Sequence, residues 1–143
     1  MTKIISAFPG TGKTYFYQNS NLNVMDSDSS KFSWVEKGKR HPEFPSNYIN
    51  HIKQYIGKTD YVLVSSHKDV RDALVNEGID YSLIFPDISL KNEYLERFKQ
   101  RGSSEQFINL ISKNWNEWIT ELENQTNCSK IKLNENQYLS DIL

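Results

Sequence analysis

The chain has 143 residues, enough for one domain around a single packed core, and its 17 Lys+Arg against 18 Asp+Glu leave a formal net charge of −1. That balance excludes a global basic field for nucleic acid or an anionic membrane face, and no run reaches the roughly 18 apolar residues of a membrane span. Cys128 is the one cysteine, so no internal disulfide forms, and a reducing, cytoplasmic setting is expected, with Cys128 half-buried in a strand. The N-terminus lacks the apolar core of a signal peptide.

The first expected strand is Lys3–Ala7. It runs directly into Ala7-Phe8-Pro9-Gly10-Thr11-Gly12-Lys13-Thr14, the G-x-x-x-x-G-K-[ST] phosphate-binding pattern with Ala7 at its first position. That position needs only a tight turn out of the strand. Gly10 and Gly12 allow the backbone to turn its N–H groups around a phosphate, in conformations that a side chain hinders. Lys13 has the reach for β- and γ-phosphate oxygens, and Thr14 offers a hydroxyl to Mg²⁺. A helix is expected to start at Lys13 and bring its positive end to the same anion site. The pattern predicts binding of a nucleoside triphosphate through Gly10, Thr11, Gly12, Lys13 and Thr14.

A second strand is expected at Leu22–Met25. After it, Asp26-Ser27-Asp28 places two carboxylates two residues apart at a strand end, suited to Mg²⁺ directly or through water, or to accepting a proton from an attacking hydroxyl. From Asp26 to Pro45 the chain is polar, dotted with Phe32, Trp34 and Phe44, and reads as an excursion over the sheet edge without a regular element. A helix over Ser46–Ile56 follows, its Tyr48, Ile49, Ile52, Tyr55 and Ile56 spaced for one apolar face.

The third strand, Tyr61–Ser65, ends in Ser65-Ser66 where a P-loop hydrolase usually carries an acidic magnesium-binding residue, which moves that duty to Asp26 or Asp28. The helix Lys68–Glu77 starts beside His67 and Arg71, one turn apart and both candidates to face an acceptor. Tyr81–Phe85 is the fourth strand. On the helix Leu90–Arg101, Arg97 and Arg101 stand four apart and are expected to point the same way, although Glu93 is also placed to pair with Arg97. Two guanidinium groups aimed at phosphates suit phosphoryl transfer, whose transition state spreads charge over the equatorial oxygens. Gly102-Ser103-Ser104 provides a turn for a small closing lid. The longest helix, Ser104–Asn124, carries Ile108, Ile111, Trp115, Trp118, Ile119 and Leu122 at three- and four-residue steps, so its tryptophans are expected in the core. Strand Ser129–Leu133, a plain connecting loop at Asn134–Asn136 and a short helix near Gln137–Leu143 close the sequence. Five strands alternating with helices predict an α/β fold with a parallel sheet, whose ligands gather at the carboxyl ends of the strands.

Gly10-Thr11-Gly12-Lys13-Thr14 and Arg97-Phe98-Lys99-Gln100-Arg101-Gly102 together resemble the nucleoside monophosphate kinase-like branch of the P-loop proteins, which includes adenylate and shikimate kinases. Asp26-Ser27-Asp28 is similar to the Asp-x-Asp of shikimate kinases, which serves Mg²⁺ and the acceptor. The resemblance implies a three-layer P-loop NTPase fold over residues 1–143, a five-stranded parallel sheet ordered 2-3-1-4-5, an acceptor-binding excursion at 27–56 and a reduced lid at 97–106. It also implies transfer of the γ-phosphoryl group of ATP to a small acceptor, a (deoxy)nucleoside monophosphate. Lys13, Arg97, Arg101 and Asp26 would be catalytic, Thr14 and Asp26 would hold Mg²⁺, and Asp28, Phe32, Trp34, His67 and Arg71 would bind the acceptor. The chain departs from the branch after the third strand, where neither the Asp-Gly-Phe/Tyr-Pro-Arg of adenylate kinases nor a Gly-Gly acceptor loop stands. Hydroxyl phosphorylation, of a sugar, a shikimate-like acid or a polynucleotide 5′ end, is the enzyme alternative. An ATP-binding module without transfer is the non-enzyme one. Its trimmed layout is similar to small kinases of bacteriophages and bacteria, which would act in a host cytoplasm. No membrane partner is expected, and no nucleic acid beyond a 5′-end substrate.

Overall fold

A computed structural model of the chain describes residues 2–26, 34–36, 39–40 and 44–143. Five strands, β1 (Lys3–Ala7), β2 (Val24–Asp26), β5 (Tyr61–Ser65), β6 (Ser82–Pro86) and β7 (Ser129–Leu133), form one sheet. Their order is β2-β5-β1-β6-β7, and every neighbouring pair is parallel. Counting the strands of this sheet alone, the order is 2-3-1-4-5, as expected. β1 is central, flanked by β5 with Ala7 opposite Ser65 and by β6 with Ala7 opposite Ile84. The stretch expected to hold no regular element contains a two-stranded antiparallel hairpin, β3 (Trp34–Glu36) with β4 (Lys39–Arg40).

Six helices follow in chain order: α1 (Lys13–Asn19), α2 (Ser46–Lys53), α3 (Lys68–Asn76), α4 (Lys91–Gln100), α5 (Glu105–Glu123) and α6 (Leu139–Ile142) among the described residues. The expected boundaries shift by a few residues at most. The largest changes are α2, which stops at Lys53 rather than Ile56, and β2, which begins at Val24 rather than Leu22; a 3₁₀ turn over Ile88–Leu90 also stands before α4. Asp87 explains that turn, because its carboxylate accepts from the Ser89 N–H at 2.9 Å and fixes a tight cap.

Alternation along the strands divides the core. Ile4, Val62, Val64, Leu83 and Phe85 face one side, with Tyr48, Ile49 and Ile52 of α2, Val70 and Leu74 of α3, Tyr94 and Phe98 of α4, and Ile111, Trp115 and Ile119 of α5. Ile5, Ala7, Tyr61, Leu63, Ile84 and Leu133 face the other, with Phe16 of α1 and Leu139 of α6. The result is three layers, with four helices on one face and two short ones on the other. The apolar stripe of α5 behaves as expected: Trp115 is fully buried and Trp118 packs against the core from its edge. Trp115 donates its indole N–H to the Ile88 carbonyl at 2.8 Å and meets Phe8 edge-on at 5.7 Å. Cys128 is half-buried, one residue before β7.

No helix among the described residues is long and apolar enough to cross a membrane. Because Trp115 is wholly enclosed, Trp115→Ala is expected to cost about 3–5 kcal/mol in urea unfolding. Trp118→Ala, at the rim, should cost clearly less; equal midpoint shifts would show that the packing around Trp115 is looser than described.

Candidate functional site

The chain leaves β1 on one face of the sheet through α1, while β5 and β6 leave on the other through α3 and α4, so a crevice opens at the carboxyl end of β1. The loop 8–12 fills its mouth. Phe8 donates its N–H to the Ile84 carbonyl at 3.0 Å, and the Thr11 hydroxyl donates back to the Phe8 carbonyl at 2.7 Å. Gly10 at φ 82° and Gly12 at φ 94° occupy the left-handed region, which a side chain disfavours. Gly12 caps α1, and Lys13, its first residue, turns its ammonium to the Ala7 carbonyl at 3.4 Å. Thr14 is exposed on the first turn.

Two aromatic surfaces bear on the loop. A Cβ on Gly10 would sit 2.9 Å from the Phe98 ring and 3.2 Å from Tyr94, and one on Gly12 would sit 3.1 Å from the Tyr138 ring. The first glycine is therefore needed for close approach as well as for its dihedral. Arg97 ties these surfaces together. Its guanidinium donates to the Gly10 carbonyl at 2.8 Å, to the Gln137 carbonyl at 3.1 Å and to the Glu93 carboxylate at 2.8 Å. It also stacks over the Tyr94 ring at 4.3 Å and the Tyr138 ring at 3.9 Å. Glu93 accepts in turn from the Asn136 N–H at 3.2 Å, and Leu139 donates its N–H to the Thr11 carbonyl at 2.9 Å. Burial pushes the Tyr94 phenol up to about 12, against the opposing pull of the Arg97 cation.

The other expected site residues fall in several places. Asp26 ends β2, half-buried, in register with Leu63. His67 is the exposed N-cap residue of α3. Arg97 and Arg101 take different partners rather than pointing together. Arg101 donates to the Ser103 hydroxyl at 3.0 Å and lies over Phe98 at 4.9 Å, where burial lowers its pKa. Arg71 also departs from its expected place beside an acceptor. It is buried and donates to the Ser66 carbonyl at 2.8 Å, to Gln125 at 2.5 Å and to Glu121, with which it forms an ion pair. The Glu121 carboxylate on α5 and the Gln125 amide just beyond it hold it inward because a buried guanidinium must have its donors satisfied. Asp28 and Phe32 lie outside the described residues, and of Trp34 only the backbone in β3 is described.

Sequence reasoning missed Tyr94, Phe98, Gln137, Tyr138 and Leu139 as neighbours of the loop. The aromatic spacing of Tyr94 and Phe98 one helical turn apart was a usable signal; for Tyr138 there was none, since its contact depends on where β7 delivers the chain. No cluster of three metal-ligating side chains occurs among the described residues, so a magnesium ion here would rely on Thr14, Asp26, phosphate oxygens and water.

Neither the family models nor the curated proteins give a match for this chain. Among solved structures it is similar to an uncharacterized protein from Eubacterium ventriosum, at 15% identity and a TM-score of 0.47, covering 96% of this chain and 90% of that one.

Gly10→Ala and Gly57→Ala test the close approach. Both glycines have φ above 80°, but nothing lies within 4 Å of a Cβ at Gly57. Gly57→Ala should lose only the left-handed strain, about 1–2 kcal/mol. Gly10→Ala should lose about 1–3 kcal/mol more through overpacking against Phe98. Equal losses in urea unfolding would remove the aromatic floor from the argument. In alkaline titration followed at the tyrosinate band, one phenol should ionise near pH 12 and vanish in Tyr94→Phe. Because its folded pKa is raised, the stability Tyr94 contributes is complete below about pH 10, its unfolded value, and is lost as pH rises through about 12.

Proposed function

We propose that the chain is a P-loop kinase that transfers the γ-phosphoryl group of ATP to a small acceptor, a (deoxy)nucleoside monophosphate. The observation that carries this reading is the loop itself: a complete Gly10-Thr11-Gly12-Lys13-Thr14 at the carboxyl end of the central strand, with both glycines left-handed. The parallel order 2-3-1-4-5 is the one implied by the kinase resemblance, and it supports the same reading.

In this reading the backbone N–H groups of the loop receive the phosphates, and Lys13 swings from the Ala7 carbonyl to the β- and γ-oxygens. Thr14 and Asp26 would hold Mg²⁺, which supplies charge neutralisation between the phosphates. Arg97 contributes its charge from beside Gly10. Arg101, at the turn between α4 and α5, is the second cation, brought in as the turn Gly102-Ser103-Ser104 closes and shields the transfer from water. The acceptor would lie over β2 and β5, with His67 at its edge. Arg71 has no part in this, since its donors serve Glu121, Gln125 and Ser66. An acceptor phosphate is already an anion, so no general base is required. A hydroxyl acceptor requires one, and Asp26 or Asp28 would then take the proton.

The test is ADP release over a panel of nucleoside monophosphates, nucleosides, sugars and shikimate. Turnover of a nucleoside monophosphate is expected, reduced about 100-fold or more by Lys13→Ala. Asp26→Asn and Asp28→Asn should each stay within a few-fold at saturating Mg²⁺. A fall of about 100-fold or more, with turnover of a hydroxyl substrate, identifies a hydroxyl kinase instead. Silence over the whole panel with ATP still bound identifies a binding module.

A further inference from the structure

We propose that Arg97 is a positioning residue of the phosphate loop, acting with residues 134–143 as a clamp that fixes the orientation of two loop peptides; this rests on the reading of that loop as a nucleotide site. The need for a clamp comes from the glycines. Left-handed φ at Gly10 and Gly12 makes the loop possible, and the same absence of a Cβ lets the adjoining peptides rotate at little cost. A rotated peptide would present a carbonyl to the anion site and repel a phosphate.

The contacts remove that freedom at two successive peptides. In a trans peptide the carbonyl and the following N–H lie on opposite edges of one plane. Arg97 holds the Gly10 carbonyl at 2.8 Å, so the Thr11 N–H is directed away from α4. The Leu139 N–H holds the Thr11 carbonyl at 2.9 Å, so the Gly12 N–H is directed away from α6. Among the described residues nothing accepts from the N–H of Thr11 or Gly12. Both ends of the clamp are braced. Arg97 is fixed by Glu93 and lies between two tyrosine rings, and one of these, Tyr138, also closes over Gly12. Leu139 is fully buried between the sheet and α1, and the Tyr138 N–H is capped by Asp141 at 2.8 Å. Guanidinium geometry suits this role, since its donors fan out in one plane to two carbonyls and a carboxylate; an ammonium on a shorter reach does not span all three.

The experiment uses the full chain with Arg97→Met, Arg97→Lys and Glu93→Gln, each checked for a cooperative thermal transition. Amide hydrogen exchange without nucleotide is read at Leu139 and Phe16, whose N–H groups donate to the Thr11 and Gly12 carbonyls, against the buried strand β5 as internal control. Arg97→Met should speed exchange at these two amides about tenfold or more while leaving β5 unchanged, and calorimetric titration with ATP and Mg²⁺ should show at least tenfold weaker binding. Arg97→Lys should fall between Met and wild type in both readouts. If Arg97→Met does not fold, Glu93→Gln, which keeps the guanidinium and loosens its brace, carries the test with the same direction of change. Unaltered exchange at Leu139 and Phe16 in the variants that fold overturns the clamp, as does Arg97→Lys matching wild type, which would reduce the role to charge alone. Wild type that binds no ATP overturns the nucleotide reading, while the exchange measurement still decides the clamp.

Discussion

A guanidinium group at the junction of three distant stretches of chain organises this molecule. Arg97 is about one-tenth exposed, and removing such a charge from water costs several kcal/mol unless hydrogen bonds and an opposite charge replace the solvent. Here the replacements come from residue 10, from Glu93 one turn back on α4, and from residue 137 beyond β7. Tyr94 and Tyr138 supply their ring faces above and below, worth up to about 2 kcal/mol where the cation is desolvated. None of these groups satisfies the charge alone. The fold has to bring all of them together, and in doing so it ties the loop after β1 to the helix after β6 and to the segment after β7.

That tie matters because the sheet is unevenly covered. One face carries four helices, with Trp115, Tyr48, Tyr94 and Phe98 wholly enclosed. The other has α1 of seven residues and α6 of four, lengths that are marginal as isolated helices in water. They persist because Phe16 and Leu139 bury against Ile5, Leu63 and Ile84. The position of α6 in turn depends on the Arg97–Gln137 and Leu139–Thr11 bonds. The thin face and the loop therefore support each other: the strap covers the core, and the covered core holds the strap against the loop.

Much of this organisation is written locally in the chain. Apolar runs bounded by turns define Lys3–Ala7 and Tyr61–Ser65 to the residue, the alternation Lys-Ile-Lys-Leu defines Ser129–Leu133, and three- and four-residue apolar steps define α5. The loop motif stands out because its residue types are tied to fixed offsets. The hairpin at 34–40 was not visible, since its sequence, Trp-Val-Glu-Lys-Gly-Lys-Arg, is too short and too charged to display a period-two pattern. Helical spacing correctly placed Glu93 beside Arg97, but it could not say where either arginine of α4 would send its guanidinium, because a long side chain follows its partners rather than its Cα. Arg71 shows the same thing more strongly. Its partners Glu121 and Gln125 lie 50 and 54 residues away, and only the tertiary fold brings them within reach.

The register of the sheet also bears on how a metal ion would be shared between Thr14 and Asp26. Asp26 pairs with Leu63, and Leu63 lies two residues before Ser65, the partner of Ala7. With strands about 4.8 Å apart and about 3.3 Å of rise per residue, the Asp26 Cα lies roughly 12 Å from that of Ala7, two strands across and two residues below the mouth. A carboxylate extends only a few ångströms from its Cα. In the proposed reading Asp26, set back from the mouth of the crevice, would serve the ion through a bound water. Magnesium accepts that arrangement readily because it gives up its waters reluctantly. In the proposed reading, then, Ser65-Ser66 at the end of β5 supply no carboxylate, and the acidic contribution to the site would act at one remove through Asp26.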